Sequence, residues 1–321
     1  MNENRSVSAD KEVVGEEFFS TTPKKRKKPI NKEEVAGTLF ASIQLLGFVI
    51  FCAIPLLMAF AMAFLDMHNF TFKNVSWAGF ENFKTVLTDP KFWDSIVHTL
   101  IFSISTFICL VLSLLVAYLL NKDIRGRKAF RMIYFIPYVC SSVAVILMWS
   151  FIFNPEYGMV NMWLAKIDPD LVIAWTRDAK DFVALVLFIS VWGGMGYSII
   201  LFTAALTNIN RSTVEAAKID GAGAFRVFWN VVLPGISPTT FYLLVTGIIG
   251  ALQSFATSQI LSKDGGPDGV GITIVFYLYN KIFKSMDMGV ASASAWVLSI
   301  FILVATIINF VGSKKWVSYD Q

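Results

Sequence analysis

Six long stretches of this 321-residue sequence contain no Asp, Glu, Lys or Arg. Charged residues make up only 16% of the chain, whereas soluble domains carry about 25%. A soluble helix would show charges on one face, and about 20 apolar residues suffice to cross a membrane. The missing charge therefore excludes a soluble protein and predicts six transmembrane helices. The charge-free stretches cover residues 35–65, 95–121, 132–155, 182–210, 227–262 and 288–313.

Chemically reactive side chains are scarce as well. The only histidines are His68 and His98, and the cysteines Cys52, Cys109 and Cys140 lie in charge-free stretches without a Cys-x-x-Cys spacing. A metal site, a catalytic triad or a carboxylate pair would need residues that are missing or scattered. We therefore expect no catalytic residue, metal or cofactor on this chain, and we interpret the cysteines as small core residues.

The sequence also lacks the usual sources of energy for uphill transport. It has no Gly-x-x-x-x-Gly-Lys-Ser/Thr loop to bind ATP. Its predicted spans contain no Asp, Glu, Lys or Arg, which carriers driven by protons or sodium ions usually keep at membrane depth. If the protein transports a solute uphill, we expect another subunit to supply the energy.

The predicted fold is all-α, a polytopic membrane protein with six spans behind a polar tail. The tail, residues 1–36, is expected to be flexible, and its basic run at 24–28 is interpreted as a topology determinant or a contact with anionic lipid rather than a nucleic-acid site. The transmembrane domain covers 37–321 and includes a loop at 207–238. The spans are expected at about 39–65, 96–120, 132–153, 182–206, 239–261 and 289–311.

The distribution of basic residues predicts the orientation. Of the 27 Lys and Arg residues, 18 lie on the side that holds both termini, and nine lie in the three opposite segments. Because basic residues concentrate on the cytoplasmic side of membrane proteins, we expect both termini and the 207–238 loop to be cytoplasmic.

The loop between spans four and five carries signals for two short helices. Ser212 and Glu215 have the spacing of a capping box, which would start the first helix. Gly221 would end that helix in a left-handed conformation. A second helix over 224–232 would be closed by Leu233-Pro234. The local pattern predicts a helical hairpin with a glycine elbow, outside the membrane.

The same loop resembles the signature of ABC importer permeases. Glu215-Ala216-Ala217 is followed at the family's spacing by Gly221, Val231 and Leu233-Pro234, with valine where the family favours isoleucine. The resemblance implies the type I ABC importer (MetI-like) permease fold, in which this loop docks into a cytoplasmic ATPase. The coupling residues it implies are Glu215, Ala216, Ala217, Asp220, Gly221, Gly223, Leu233 and Pro234.

The resemblance also implies partners and a location. These are a second, homologous permease, two cytoplasmic ABC ATPases that would carry ATP and Mg, and an extracytoplasmic solute-binding protein, all at a bacterial cell membrane. Shorter motifs, among them residues 153–158 and Gly265-Gly266-Pro267, are similar to the carbohydrate branch, which includes maltose-type and glycerol-phosphate permeases. A sugar or sugar-like solute is therefore expected.

Polar residues in spans four and five are candidates for the solute pathway. In a continuous fifth helix, residues 250, 253, 254, 257 and 258 would share one face. Hydroxyl and amide groups beside aromatic rings suit a neutral sugar, although the same residues are common in helix packing. The candidates are Trp192, Tyr197, Gln253, Ser254 and Thr257.

Two other functions remain open. An ABC importer permease for a non-sugar solute would share the loop but not the carbohydrate motifs. A channel, exporter or scramblase would explain six helices but not the spacing around Glu215.

Overall fold

The computed structural model describes residues 32–68, 75–121 and 126–318. The described chain is mostly helical, with one pair of two-residue antiparallel strands, β1 (Leu65–Asp66) and β2 (Ser76–Trp77). The predicted all-α class is confirmed. Residues 1–31 of the predicted tail lie outside the described residues, and a helix begins at Lys32, inside the segment predicted as tail.

Within the described residues, four helices are long and apolar enough to be membrane spans, and the number rises to six when each of two bent helix pairs counts as one span. The unbroken spans are Gly37–Met62, Pro90–Leu120, Ala179–Asn208 and Met288–Ser313. The bent pairs are Met132–Val139 with Ser142–Ile152, at 107°, and Ala224–Gly235 with Ser237–Leu252, at 65°.

Internal contacts divide the chain after Pro55 into two units. The first contains α1 (Lys32–Phe48), a π-helical turn (Val49–Ala53) and the start of α2 (Ile54–Met62). Pro55 has no N–H to donate to the preceding turn, and the π turn widens the helix directly before it. The proline is thus accommodated without ending the helix.

The second unit holds the remaining helices. In chain order they are α3 (Glu81–Thr88), α4 (Pro90–Leu120), α5 (Arg127–Val139), α6 (Ser142–Ile152), α7 (Met159–Ile167), α8 (Ala179–Asn208), α9 (Arg211–Ile219), α10 (Ala224–Val227), α11 (Leu233–Gly235), α12 (Ser237–Leu252), α13 (Ala256–Leu261), α14 (Ile274–Phe283) and α15 (Met288–Ser313).

Small polar residues let α4 pack closely against its neighbours. Ser95, Thr99, Ser103, Thr106 and Ser113 are all buried. Thr99 donates its hydroxyl to the Ser95 carbonyl at 2.7 Å, and Ser103 donates to the Thr99 carbonyl at 2.8 Å. Bonding of the Thr99 and Ser103 hydroxyls within the helix offsets the cost of burying them. The small size of all five side chains lets helix backbones approach closely.

The predicted fifth span, 239–261, is not continuous. Helix α12 ends at Leu252, and α13 begins at Ala256. Phe255 between them has φ −149° and ψ −49°, outside helical values. The Ser254 carbonyl accepts a hydrogen bond from the Thr273 hydroxyl at 2.7 Å, so a contact from a distant part of the chain replaces the helical bonding.

The cysteine interpretation holds for one residue of three. Cys109 is buried beside Ser113 and Ser198, but Cys52 and Cys140 are exposed on this chain. All three cysteines are free.

Candidate coupling loop and solute cavity

The first helix of the loop, α9, begins two residues earlier than the capping box would place it. Asn210 is the N-cap, and its side-chain oxygen accepts from the backbone N–H of Ser212 at 3.0 Å and from the Ser212 hydroxyl at 2.8 Å. The prediction of a Ser212–Glu215 capping box is therefore wrong. An Asn side chain satisfies the exposed amides of a helix start as well as Ser does.

The glycine elbow has the predicted conformation. Gly221 has φ +78°; its N–H bonds the Lys218 carbonyl at 3.1 Å, and the Ala222 N–H bonds the Ala217 carbonyl at 3.0 Å. These two bonds form a Schellman motif, which ends a helix at a left-handed residue. A Cβ on Gly221 would meet no atom within 4 Å. Glycine is thus required here by backbone conformation, not by lack of space.

The second helix of the loop extends beyond its predicted end. Helix α10 continues through a π-helical turn (Phe228–Val232) into α11, which ends at Gly235. Pro234 lies inside this helix rather than closing it. The π turn precedes the proline, as it does at Pro55, and accommodates the missing N–H.

The loop has one exposed face and one buried face. Ile219 is 85% exposed and Phe225 is 77% exposed. Val227 and Val232 are buried in a hydrophobic cluster with residues of α4, α8 and α12. The Phe228 ring packs edge-on against Tyr118 of α4 at 5.1 Å. A force applied to the exposed face would therefore reach the spans through direct packing.

The predicted coupling residues divide between these faces. Glu215, Ala216, Asp220, Gly221 and Gly223 are exposed. The partly buried members are Ala217 and Leu233, which pack on the same cluster, and Pro234, which lies inside the second helix. The predicted residues thus all lie within one helical hairpin, residues 211–235.

A cavity of about 420 Å³ lies between α4, α8 and α12. Tyr197 and Tyr242 meet beside it, with their hydroxyl oxygens 3.1 Å apart, and Tyr138 stacks on Tyr197 at 5.3 Å. No Asp, Glu, Lys or Arg is among the described residues that line it. Its polar lining consists of Ser105, Thr106, Tyr138, Ser190, Tyr197, Ser198, Thr246 and Ser254. Hydroxyl groups beside aromatic rings can bind a neutral polar molecule.

Only two of the five predicted solute-pathway residues line this cavity, Tyr197 and Ser254. Trp192 packs edge-on against Trp149 at 5.1 Å. Gln253 is exposed just after the end of α12, and Thr257 lies beyond the break on α13. The single polar face predicted across 250–258 does not form, because the helix on which it depended is interrupted.

Several cavity residues were not predicted, and Thr106 on α4 is the clearest. Its hydroxyl donates to the Gly247 carbonyl at 3.2 Å, and a Cβ on Gly247 would lie 2.6 Å from the Thr106 methyl group. The sequence signal was the recurrence of Ser and Thr every three or four residues along α4, which marks one helix face.

A charged cluster joins α4 to α14 at one end of the second unit. The Tyr277 hydroxyl donates to Asp89 at 2.8 Å, and Lys281 lies 3.3 Å from the same carboxylate oxygen. Burial raises the pKa of Asp89, but hydrogen bonds from Tyr277, the Lys91 backbone and Lys281 outweigh it and hold that pKa below its ordinary value. Burial and the bond to Asp89 raise the pKa of Tyr277.

Known proteins resemble this chain over most of its length. The family profile described as binding-protein-dependent transport system inner membrane component matches residues 109–315. The probable ABC transporter permease protein YesP of Bacillus subtilis (strain 168) is 33% identical over 301 residues, covering 92% of this chain and 96% of the relative. The sn-glycerol-3-phosphate transport system permease protein UgpA of Shigella flexneri is 31% identical over 298 residues, covering 91% and 99%.

A solved structure confirms the expected permease fold. It is a bacterial ABC transporter involved in the import of the acidic polysaccharide alginate. One of its chains superposes with a TM-score of 0.72 at 24% identity, covering 88% of this chain and 96% of that chain.

Proposed function

Because the chain belongs to the family of inner membrane components of binding-protein-dependent transport systems, we propose that it is the permease subunit of an ABC importer for a sugar or sugar-like solute. With a second, homologous permease it would form the translocation path. Two cytoplasmic ATPases, which bind ATP and Mg, would drive it, and an extracytoplasmic binding protein would deliver the solute. The orientation proposed puts both termini and the coupling loop in the cytoplasm.

The observation that carries this proposal is the two-faced coupling loop. Its exposed apolar residues, Ile219 and Phe225, offer contacts for a partner, since burial of large apolar side chains by a partner is favourable. Its second helix packs on the spans through Val227 and Val232. An ATPase that binds the exposed face could therefore move the spans. Such a partner would supply the energy that this chain, which has no ATP-binding loop, cannot obtain from ATP itself.

The solute class follows from the cavity and the relatives. The UgpA relatives carry sn-glycerol-3-phosphate and the solved transporter imports an acidic polysaccharide, so both act on polyhydroxylated solutes that carry acidic groups. The uncharged, hydroxyl-lined cavity of this chain favours a neutral sugar. The second candidate is an anionic sugar derivative, whose charge would have to be met by the partner permease.

Affinity purification of the chain in mild detergent, with mass spectrometry of the bound proteins, tests the proposal. We expect an ATPase and a second six-span permease in the purified complex. A chain that purifies without an ATPase, even after gentle crosslinking, would contradict the importer and favour a channel or scramblase.

Uptake by vesicles that contain the purified complex then separates the two solute classes. Maltose and sn-glycerol-3-phosphate serve as the neutral and anionic probes. Uptake of labelled maltose supports the proposal, and uptake of labelled sn-glycerol-3-phosphate alone favours the second candidate.

A further inference from the structure

A sharp bend joins the coupling loop to the fifth span. Helix α12 runs at 65° to the helical segment Ala224–Gly235, with Ile236 between them. Ser237 is the first residue of α12 and is only 3% exposed. Its hydroxyl donates to the Pro234 carbonyl at 2.6 Å, which ties the two arms of the bend together.

The segment that follows the last span folds back onto this bend. The Val317 N–H bonds the Ser313 carbonyl at 2.9 Å, and the Trp316 ring lies 6.2 Å from the Phe241 ring on α12. The backbone N–H of Ser318 then donates to the Ser237 hydroxyl oxygen at 2.9 Å. One buried hydroxyl therefore bridges the end of the coupling loop, the start of the fifth span and the segment after the sixth.

The same segment also reaches the start of the coupling helix. Ser318 lines a cavity of about 430 Å³ together with Asn210 and Thr213 from the first turn of α9, and with Pro234. Ser318 thus lies beside both ends of the coupling loop. A hydroxyl buried at such a junction holds its neighbours firmly, since leaving its partners unbonded is costly.

We propose that Ser237 and the backbone N–H of Ser318 are positioning groups that keep the bend rigid while the coupling loop moves. Movement of the coupling loop reaches the fifth span only if the angle between them stays fixed. The hydrogen bonds of Ser237 fix the angle between the helical segment Ala224–Gly235 and the fifth span. Residues 314–318 stabilise this angle through the contacts of Trp316 and Ser318. This inference rests on the proposed coupling function and adds the residues that make the coupling efficient.

The test uses the chain in complex with its partner permease and ATPases in lipid vesicles, and needs no solute. Nitroxide labels are introduced at Lys166 and Lys263, both exposed and far from the bend in sequence, through a noncanonical residue that spares the native cysteines. Pulsed electron paramagnetic resonance measures their separation before and after trapping with ATP and vanadate. ATP hydrolysis is measured in parallel.

Four variants separate the hydrogen bonds from the packing. Ser237→Ala removes both bonds, and Ser318→Pro removes only the N–H donor. Ser237→Thr keeps the hydroxyl, and Ser318→Ala keeps the N–H. We expect Ser318→Pro to reduce the fraction of complexes that reach the trapped distance by about fivefold, as the loss of one net hydrogen bond would, while ATP hydrolysis continues. Ser237→Ala, which removes both bonds, should reduce that fraction at least as much. Thr at 237 and Ala at 318 should retain the wild-type fraction.

The outcomes distinguish this inference from the function on which it rests. If the wild-type complex binds its ATPases but shows no change of distance on trapping, the proposed coupling fails. If the wild type changes and all four variants match it, the positioning role is wrong. Should Ser237→Ala fail to assemble, Ser318→Pro decides the question, because it leaves the buried Ser237 side chain in place.

Discussion

The coupling loop and the solute cavity are held in place by different physics. The loop depends on local backbone chemistry: an Asn210 cap, a left-handed Gly221 and a proline placed after a π turn. The cavity depends on three helices that meet through small and hydroxyl-bearing side chains, with Thr106 bonded across to Gly247. Substitutions that impair coupling should therefore fall at a few positions of the loop. Substitutions that impair solute uptake should be spread over many positions of the cavity, each with a smaller effect.

The largest effect is expected at Gly221. A left-handed conformation costs a residue with a Cβ about 1–2 kcal/mol, and a β-branched residue more. Gly221→Val should abolish most stimulation of ATP hydrolysis by the solute and its binding protein, while membrane insertion stays normal. Gly221→Asn should be milder, because Asn tolerates this conformation. Equal stimulation in the Val variant and the wild type would show that the elbow is not needed for coupling.

The next effect concerns the exposed apolar face of the loop. Phe225→Ser should reduce the amount of ATPase that copurifies by about tenfold, since it removes an aromatic side chain that a partner would bury. Phe80→Ser is the matched control, because Phe80 is 75% exposed and lies in the segment predicted on the opposite side of the membrane. Loss of ATPase from both variants alike would indicate general destabilisation rather than a lost docking contact.

A moderate effect is expected in the cavity. Tyr197→Phe removes the hydroxyl that meets Tyr242, and we expect the apparent KM for solute uptake to rise about fivefold. Basal ATP hydrolysis should not change. Gln253→Ala provides the comparison, because Gln253 is exposed and does not line the cavity. A larger effect on uptake at Gln253 than at Tyr197 would move the solute pathway out of this cavity to the exposed surface that holds Gln253.

The smallest effect concerns the Asp89–Tyr277–Lys281 cluster. Its contribution to stability requires ionised Asp89, whose pKa is lowered by folding. The contribution is therefore complete above the unfolded value of about 3.9 and is lost as pH falls through the lower folded pKa. Tyr277→Phe should cost about 1 kcal/mol at pH 7. Thermal unfolding should show this difference shrinking below about pH 4, and a difference that grows there would contradict the assignment.

The loop could be predicted from the sequence better than the cavity could. The apolar helices, the elbow at Gly221 and the short helix that holds Glu215-Ala216-Ala217 follow from local patterns in the sequence. The break after Leu252 did not follow, because it is stabilised by Thr273, nineteen residues away from Ser254. Gln253 and Thr257 were consequently placed on a polar face that the folded chain does not form.

Site-specific photocrosslinking tests the central claim most directly. A photoreactive residue at Ile219, which is 85% exposed on the coupling loop, is compared with one at Phe80, which is 75% exposed in the segment predicted on the opposite side. Illumination of the membrane-embedded protein should join the ATPase to position 219 and not to position 80. An ATPase crosslink at position 80, or none at position 219 when the ATPase copurifies, would contradict the coupling role of this loop.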